Sequence, residues 1–173
     1  MSVRMPELDA EILGRRDRIV TALRSIVPGE GVIAGEREMR PYETDGLTAY
    51  RQLPMVVVLP ETTQQVAEVL RYCHDEGIKV VPRGAGTSLS GGALPLGDGV
   101  LLGMAKFNRI REIDFENRVA VVEPGVTNLA VTNAVAHAGF YYAPDPSSQI
   151  ACTIGGNVAE NAGGVHCLKY GMT

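Results

Sequence analysis

Pro82-Arg-Gly-Ala-Gly-Thr-Ser-Leu-Ser-Gly-Gly92 places four glycines and three hydroxyl side chains in eleven consecutive positions. Glycine lets successive backbone N–H groups turn inward around an anion, and Thr87, Ser88 and Ser90 add hydroxyl donors. Between Ile78 and Gly97 the only charged residues are Lys79 and Arg83, so the local field is read as positive although the whole chain has a net charge of -4. Such a loop suits a pyrophosphate. Two other phosphate-binding patterns fail on spacing. A G-x-G-x-x-G turn needs glycine at 84, 86 and 89 with a helix opening there, but position 89 is leucine and no helical period follows. A Walker A loop needs Gly-Lys-Ser/Thr, which the stretch lacks.

A second constellation comprises Pro144-Asp-Pro-Ser-Ser148, Thr153-Ile-Gly-Gly-Asn157 and Asn161-Ala-Gly-Gly164. Two Gly-Gly pairs flanked by Asn and Thr set backbone donors and acceptors, free of bulky side chains, against something flat or elongated; a planar ring system would fit. Other reactive side chains form no comparable pattern. His74, His137 and His166 are too scattered for a metal site, and no metal is expected. Cys73, Cys152 and Cys167 make no CxxC pair and read as reduced structural residues, with Cys152 and Cys167 as small buried hydrophobes. No Ser-His-Asp or Cys-His arrangement is recognisable.

These loops need a scaffold to hold them. Met55-Val-Val-Val-Leu59 is an apolar, largely β-branched run that predicts a strand buried on both faces. Thr62 then opens a helix with capping-box spacing to Gln65. Val66, Val69, Leu70 and Cys73 mark its apolar side, and Gly77 marks its left-handed end. Ile78 to Pro82 completes a βαβ unit whose crossover makes the two strands parallel, so the glycine loop emerges at a strand's C-terminal end. Short strands are predicted over 100–104, 110–114 and 119–123, with Asn117 in a turn, and a helix over 127–138 that stops at Gly139. One amphipathic helix is predicted over 8–27, ended by Pro28-Gly29. Residues 30–54 read as a connecting stretch over the surface, and 141–173 as loop with one short helix near 157–162. The fold class is α+β.

The chain of 173 residues, 45% of them apolar, is long enough for one hydrophobic core. Sixteen basic against 20 acidic residues leave no excess for a nucleic acid or an anionic membrane surface. Runs such as Met55 to Pro60 fall far short of the roughly 18 apolar residues of a membrane span. Charged residues between Glu7 and Asp17 interrupt any leader-like apolar region, so a cytoplasmic protein is expected.

Taken in order, Tyr42-Glu-Thr-Asp-Gly46, Val57-Val-Leu-Pro60, the 82–92 loop, Val122-Glu-Pro-Gly-Val126, Pro144 to Ser148 and Thr153 to Gly164 resemble the FAD-binding domain of the PCMH-type, or vanillyl-alcohol oxidase, superfamily. Within it they are most similar to the FAD-linked 2-hydroxy-acid dehydrogenases of the glycolate oxidase type. The resemblance implies that Arg83, Gly84, Ala85, Gly86, Thr87, Ser88 and Gly91 wrap the FAD pyrophosphate. It implies that Pro124, Gly125 and Val126, with Pro144, Asp145, Ser147 and Ser148, lie along the flavin and ribityl portion. Gly155, Gly156, Asn157, Asn161, Gly163 and Gly164 would complete the contact. The residues by themselves do not distinguish FAD from another nucleotide. Some members tether the flavin through a histidine in the pyrophosphate loop; Gly86-Thr87-Ser88 has none, so non-covalent FAD is expected.

Members of the family continue past the position matching Thr173 into further strands and a substrate domain with the active-site histidines and acidic residue. The expectation is therefore a PCMH-type domain with a βαβ unit and mixed sheet, truncated at the C-terminus. It would comprise a helix and connecting segment over 1–50 and the FAD domain over 51–173. A 2-hydroxy acid would be oxidised only with the further domain, and companion subunits, one of them iron–sulfur, would take the electrons. The alternatives are a nucleotide-binding fragment without turnover and an interaction module whose glycine loops bind no nucleotide.

Overall fold

Ile12, Ile19, Leu23 and Val27 keep a helical period, yet the helix predicted over 8–27 is broken in two. In the computed structural model, which describes residues 5–173, α1 spans Ala10–Gly14 and α2 spans Arg16–Ile26. The first four residues of the expected 1–50 segment lie outside the described residues. Asp9 caps α1 by accepting from the Glu11 and Ile12 N–H groups at 2.9 and 3.2 Å. The break falls at Arg15, whose N–H bonds the Ile12 carbonyl and whose guanidinium reaches Glu76 at 2.6 Å. Ile12, Ile19, Val20, Leu23 and Val27 nevertheless share one buried face.

The stretch 30–54 is more than a surface connection. Val32–Ile33 forms a short strand, β1, and Glu36–Met39 a single helical turn, α3, whose Met39 is buried. β1 pairs antiparallel with β2, Val56–Val58, in the register Val32 to Val58 and Ile33 to Val57. All three β2 valines are wholly buried, as a continuous β-branched run dictates. α4, Thr63–Asp75, starts where Thr62 Oγ1 accepts from the Gln65 N–H at 3.1 Å. The reciprocal bond closes one residue earlier, on the Glu61 N–H at 2.7 Å. Gly77 ends the helix in the left-handed region, φ 68°.

β3, Lys79–Arg83, runs parallel to β2 but does not neighbour it, because β4, Gly99–Gly103, lies between them. A crossover settles strand direction and hand, not adjacency. β4 is buried along its whole length and therefore takes a central place in the order β1-β2-β4-β3. Pro82, which has no N–H to donate, lies on edge strand β3. One face of the sheet packs on α2 and α4 through Val56, Val58, Val100 and Leu102; the other buries Val57 and Leu101 against Met39, Tyr42 and Leu59.

A separate antiparallel hairpin follows, β5 Ile110–Asp114 and β6 Val119–Val122, with Asn117 bonded to Asp114 in its turn. α5, Asn128–Val135, runs through a 3-10 turn to Gly139 at φ 78°. The short helix expected near 157–162 starts earlier, as α6, Ile154–Glu160, because Thr153 caps it on the Gly156 N–H. A last turn, α7, Cys167–Tyr170, was not anticipated. Helices, a mixed sheet and a hairpin make this the expected α+β class. No helix among the described residues is long and apolar enough to cross a membrane.

Candidate cofactor-binding cleft

The C-terminal end of β3 delivers the chain into the glycine loop, which forms one wall of a cleft of about 650 Å³. Pro124, the Pro146–Ser148 turn and the start of α6 form the facing wall. Backbone bonds align that wall: Ile154 N–H to the Val126 carbonyl (2.9 Å), Gly155 N–H to Pro124 (2.8 Å) and Asn128 N–H to Cys152 (2.9 Å). Glu123, at the end of the hairpin, anchors it from behind. Its carboxylate accepts from the Arg109 side chain and backbone and from Arg111 at 2.9 to 3.3 Å, and these bonds, Arg109 foremost, hold its pKa down to about 2.

Twelve of the residues singled out from sequence line the cleft: Arg83, Gly84, Ala85, Gly86, Thr87, Ser88, Pro124, Ser147, Ser148, Gly155, Gly156 and Asn157. The other eight stand behind or beside it. Gly91, at φ 84°, donates its N–H to Asp45 at 3.1 Å. Gly125 lies against the Met104 and Phe107 carbonyls, where a Cβ would collide, and Val126 is buried. The Pro144 carbonyl accepts from Asn128 at 2.8 Å. Asp145 pairs with the His166 ring at 2.7 Å and packs against Gly164. Asn161 is the left-handed cap of α6, and Gly163 packs on Met172 and Cys167.

The charges differ from the sequence reading. Arg83 was expected to face a pyrophosphate, but its Nη1 donates to the Thr44, Ala93 and Tyr42 carbonyls at 2.8, 3.1 and 3.4 Å. Burial pulls its pKa down, an effect opposed by Asp45. Lys79 is paired with Asp98 at 2.7 Å. Lys79's charge is thus met by Asp98, whereas Arg83 makes no ion pair among the described residues and its Nη2 and Nε lie beside Gly86 at the cleft wall, so Arg83 and the loop's backbone N–H groups together keep the loop positive. Cys152 is buried and lines the cleft, whereas Cys167, expected to be buried, is exposed on α7.

Sequence reasoning also passed over Glu160, whose carboxylate meets the Ser88 and Ser90 hydroxyls at 2.9 and 2.6 Å. Its signal was legible: it is the one acidic residue in the small-residue stretch 146–173. Asp45, buried and bonded to the Gly91 and Leu47 N–H groups, was missed as a loop anchor.

The walls fit an elongated dinucleotide. A Cβ at Gly84 would strike Thr153 Oγ1, one at Gly86 the Arg83 guanidinium and one at Gly155 Pro124, so the surface is backbone held at close quarters. Asn157 is 2% exposed, and its Nδ2 has no hydrogen-bond partner among the described residues. An unpaired buried amide lining a cleft is a donor available to a ligand.

The chain is 57% identical over 169 residues to glycolate oxidase subunit GlcD of Escherichia coli K12, covering 98% of this chain and 33% of that protein. It is 38% identical over 152 residues to the mitochondrial D-2-hydroxyglutarate dehydrogenase of Bos taurus, covering 88% and 28%. The chain thus spans about a third of the length of these curated relatives. Among solved structures, p-cresol methylhydroxylase with substrate bound superposes with a TM-score of 0.74 at 22% identity, over 93% of this chain and 32% of that one; this likeness is one of fold. The family described as FAD binding domain matches residues 54–173, both walls of the cleft included, and the chain therefore belongs to that family, with FAD as its cofactor.

Proposed function

We propose that this chain is the FAD-binding part of an oxidoreductase that converts a 2-hydroxy acid of the glycolate or D-lactate type to the 2-oxo acid. The observation that carries this reading is the 57% identity to a glycolate oxidase subunit, which extends over both glycine clusters. When bound, FAD supplies the acceptor for the hydride from the substrate's hydroxyl-bearing carbon. The chain's own residues hold, orient and enclose it. Backbone N–H groups of Gly84 to Thr87 would hold the pyrophosphate, and Asn157 Nδ2, unpaired among the described residues, would donate to the cofactor. Pro124, Ser147 and Ser148 would lie along the flavin and ribityl portion. Gly125, Val126, Pro144 and Asp145 back that wall, and Asn161, Gly163 and Gly164 close the turn after α6. FAD would be held non-covalently, since Gly86-Thr87-Ser88 lacks the histidine through which some members tether the flavin in this loop.

Substrate-orienting groups and the outlet for electrons belong to the rest of a glycolate oxidase-type assembly, with companion subunits, one of them iron–sulfur, in the cytoplasm. Titrating the purified chain with FAD while recording its absorbance tests the reading. The expected result is a shifted, structured flavin band that saturates near one FAD per chain, with all flavin released on denaturation. A folded chain that leaves the flavin spectrum unchanged overturns it.

A further inference from the structure

Glu160 closes α6 on one wall of the cleft, and Ser88 and Ser90 belong to the loop on the other. Ser88 Oγ donates to Glu160 Oε1 at 2.9 Å and Ser90 Oγ to Oε2 at 2.6 Å, joining segments 70 or more residues apart in the chain. The two serine oxygens are 2.9 Å from each other, and Ser88 Oγ also accepts the Ser90 N–H at 3.2 Å. A hydroxyl has one proton to donate. With both protons given to a carboxylate, these serines present only lone pairs to an incoming anion and are unsuited to hold a phosphate. The loop's other side is tied separately, by Gly46 N–H to the Ser88 carbonyl at 2.9 Å and Gly91 N–H to Asp45 at 3.1 Å. Glu160 therefore adds a tie across the mouth, not a second anchor on the sheet side.

We propose that Glu160, Ser88 and Ser90 form a clasp across the cleft that fixes the glycine loop against α6 and slows release of the bound cofactor. Glu160 is then a positioning residue, and the serines act through it and not as pyrophosphate ligands. This rests on the FAD reading. The bonds are charge-assisted but solvent-exposed, so the effect expected of breaking them is about five-fold in rate.

The test follows FAD release after dilution, read as recovered flavin fluorescence, in the wild type, Glu160→Ala, the double variant Ser88→Ala with Ser90→Ala, and the triple variant. A clasp gives release about five-fold faster in Glu160→Ala, the same in the serine pair and no further change in the triple variant. Glu160→Gln, whose amide still bridges one serine, lies between. Unchanged release in Glu160→Ala overturns the clasp, as does a further loss of FAD affinity when the serines are replaced in the Glu160→Ala background. Hydrogen exchange of the FAD-free chain gives an independent arm: Glu160→Ala speeds exchange within 84–92, and unaltered exchange there again overturns the clasp. A folded wild type that binds no flavin overturns the FAD reading and the retention role with it, whereas binding with unchanged release overturns the clasp alone.

Discussion

The four-stranded sheet and the cleft beside it are built from one chain by opposite means. In the sheet, Val56 to Val58 and Val100 to Leu102 are buried by their own side chains, and stability comes from apolar surface removed from water. In the cleft, Gly84, Gly86 and Gly155 work because they have no side chain, and the space a methyl group would need is already taken by Thr153, Arg83 and Pro124. Removing atoms should damage the first region and adding atoms the second. Damage to one should also leave the other's readout largely intact.

The largest expected effect is in the sheet. Leu101 is fully buried on central strand β4, so Leu101→Ala should lose roughly 2–5 kcal/mol of stability in urea unfolding, while the FAD affinity of the molecules that remain folded stays near the wild-type value. A matching collapse of affinity would break the comparison. Next comes Gly86→Val, which adds a β-branched side chain at φ 72° against the Arg83 guanidinium. Flavin titration should show affinity lower by on the order of tenfold or more, with the far-ultraviolet circular dichroism retained.

The smallest effect sharpens the boundary between the two regions, where Glu123 anchors the hairpin behind Pro124. Its folded pKa of about 2 lies below the ordinary 4.5, so the folded chain binds fewer protons than the unfolded one in that window. The stabilisation is complete above about pH 4.5 and is lost as pH falls toward 2. Urea midpoints of the wild type and Glu123→Gln should therefore differ near neutrality and converge in acid; a difference independent of pH would show that the carboxylate's charge is not what holds the wall.

Legibility in the sequence followed the range of the interactions. Helix α4 could be read closely, because Thr62, Gln65 and Gly77 act on backbone groups within a few residues of themselves. The strands β5 and β6 and the stop at Gly139 were equally local. The break at Arg15 was not legible, since its guanidinium is tied to Glu76, 61 residues away. The place of β4 between β2 and β3 depends on which strand is most completely buried, a property of the assembled sheet. For the cleft, glycine density revealed which backbone would be exposed to a ligand. It did not reveal that eight of the twenty chosen residues would back the walls instead of lining them.

By itself, the sequence determined the α+β class, the βαβ unit that launches the glycine loop, and a site made of backbone and small side chains. Each follows from covalent geometry and hydrophobic period, which act over a few residues. The tertiary structure alone decided what the charged and hydroxyl groups do. Arg83 Nη1 donates to the carbonyls of Thr44 and Ala93, Lys79 pairs with Asp98, and Ser88 and Ser90 give their protons to Glu160. A long or polar side chain satisfies itself with whichever partner the fold brings within about 3 Å, and that partner is set by packing far away in the chain.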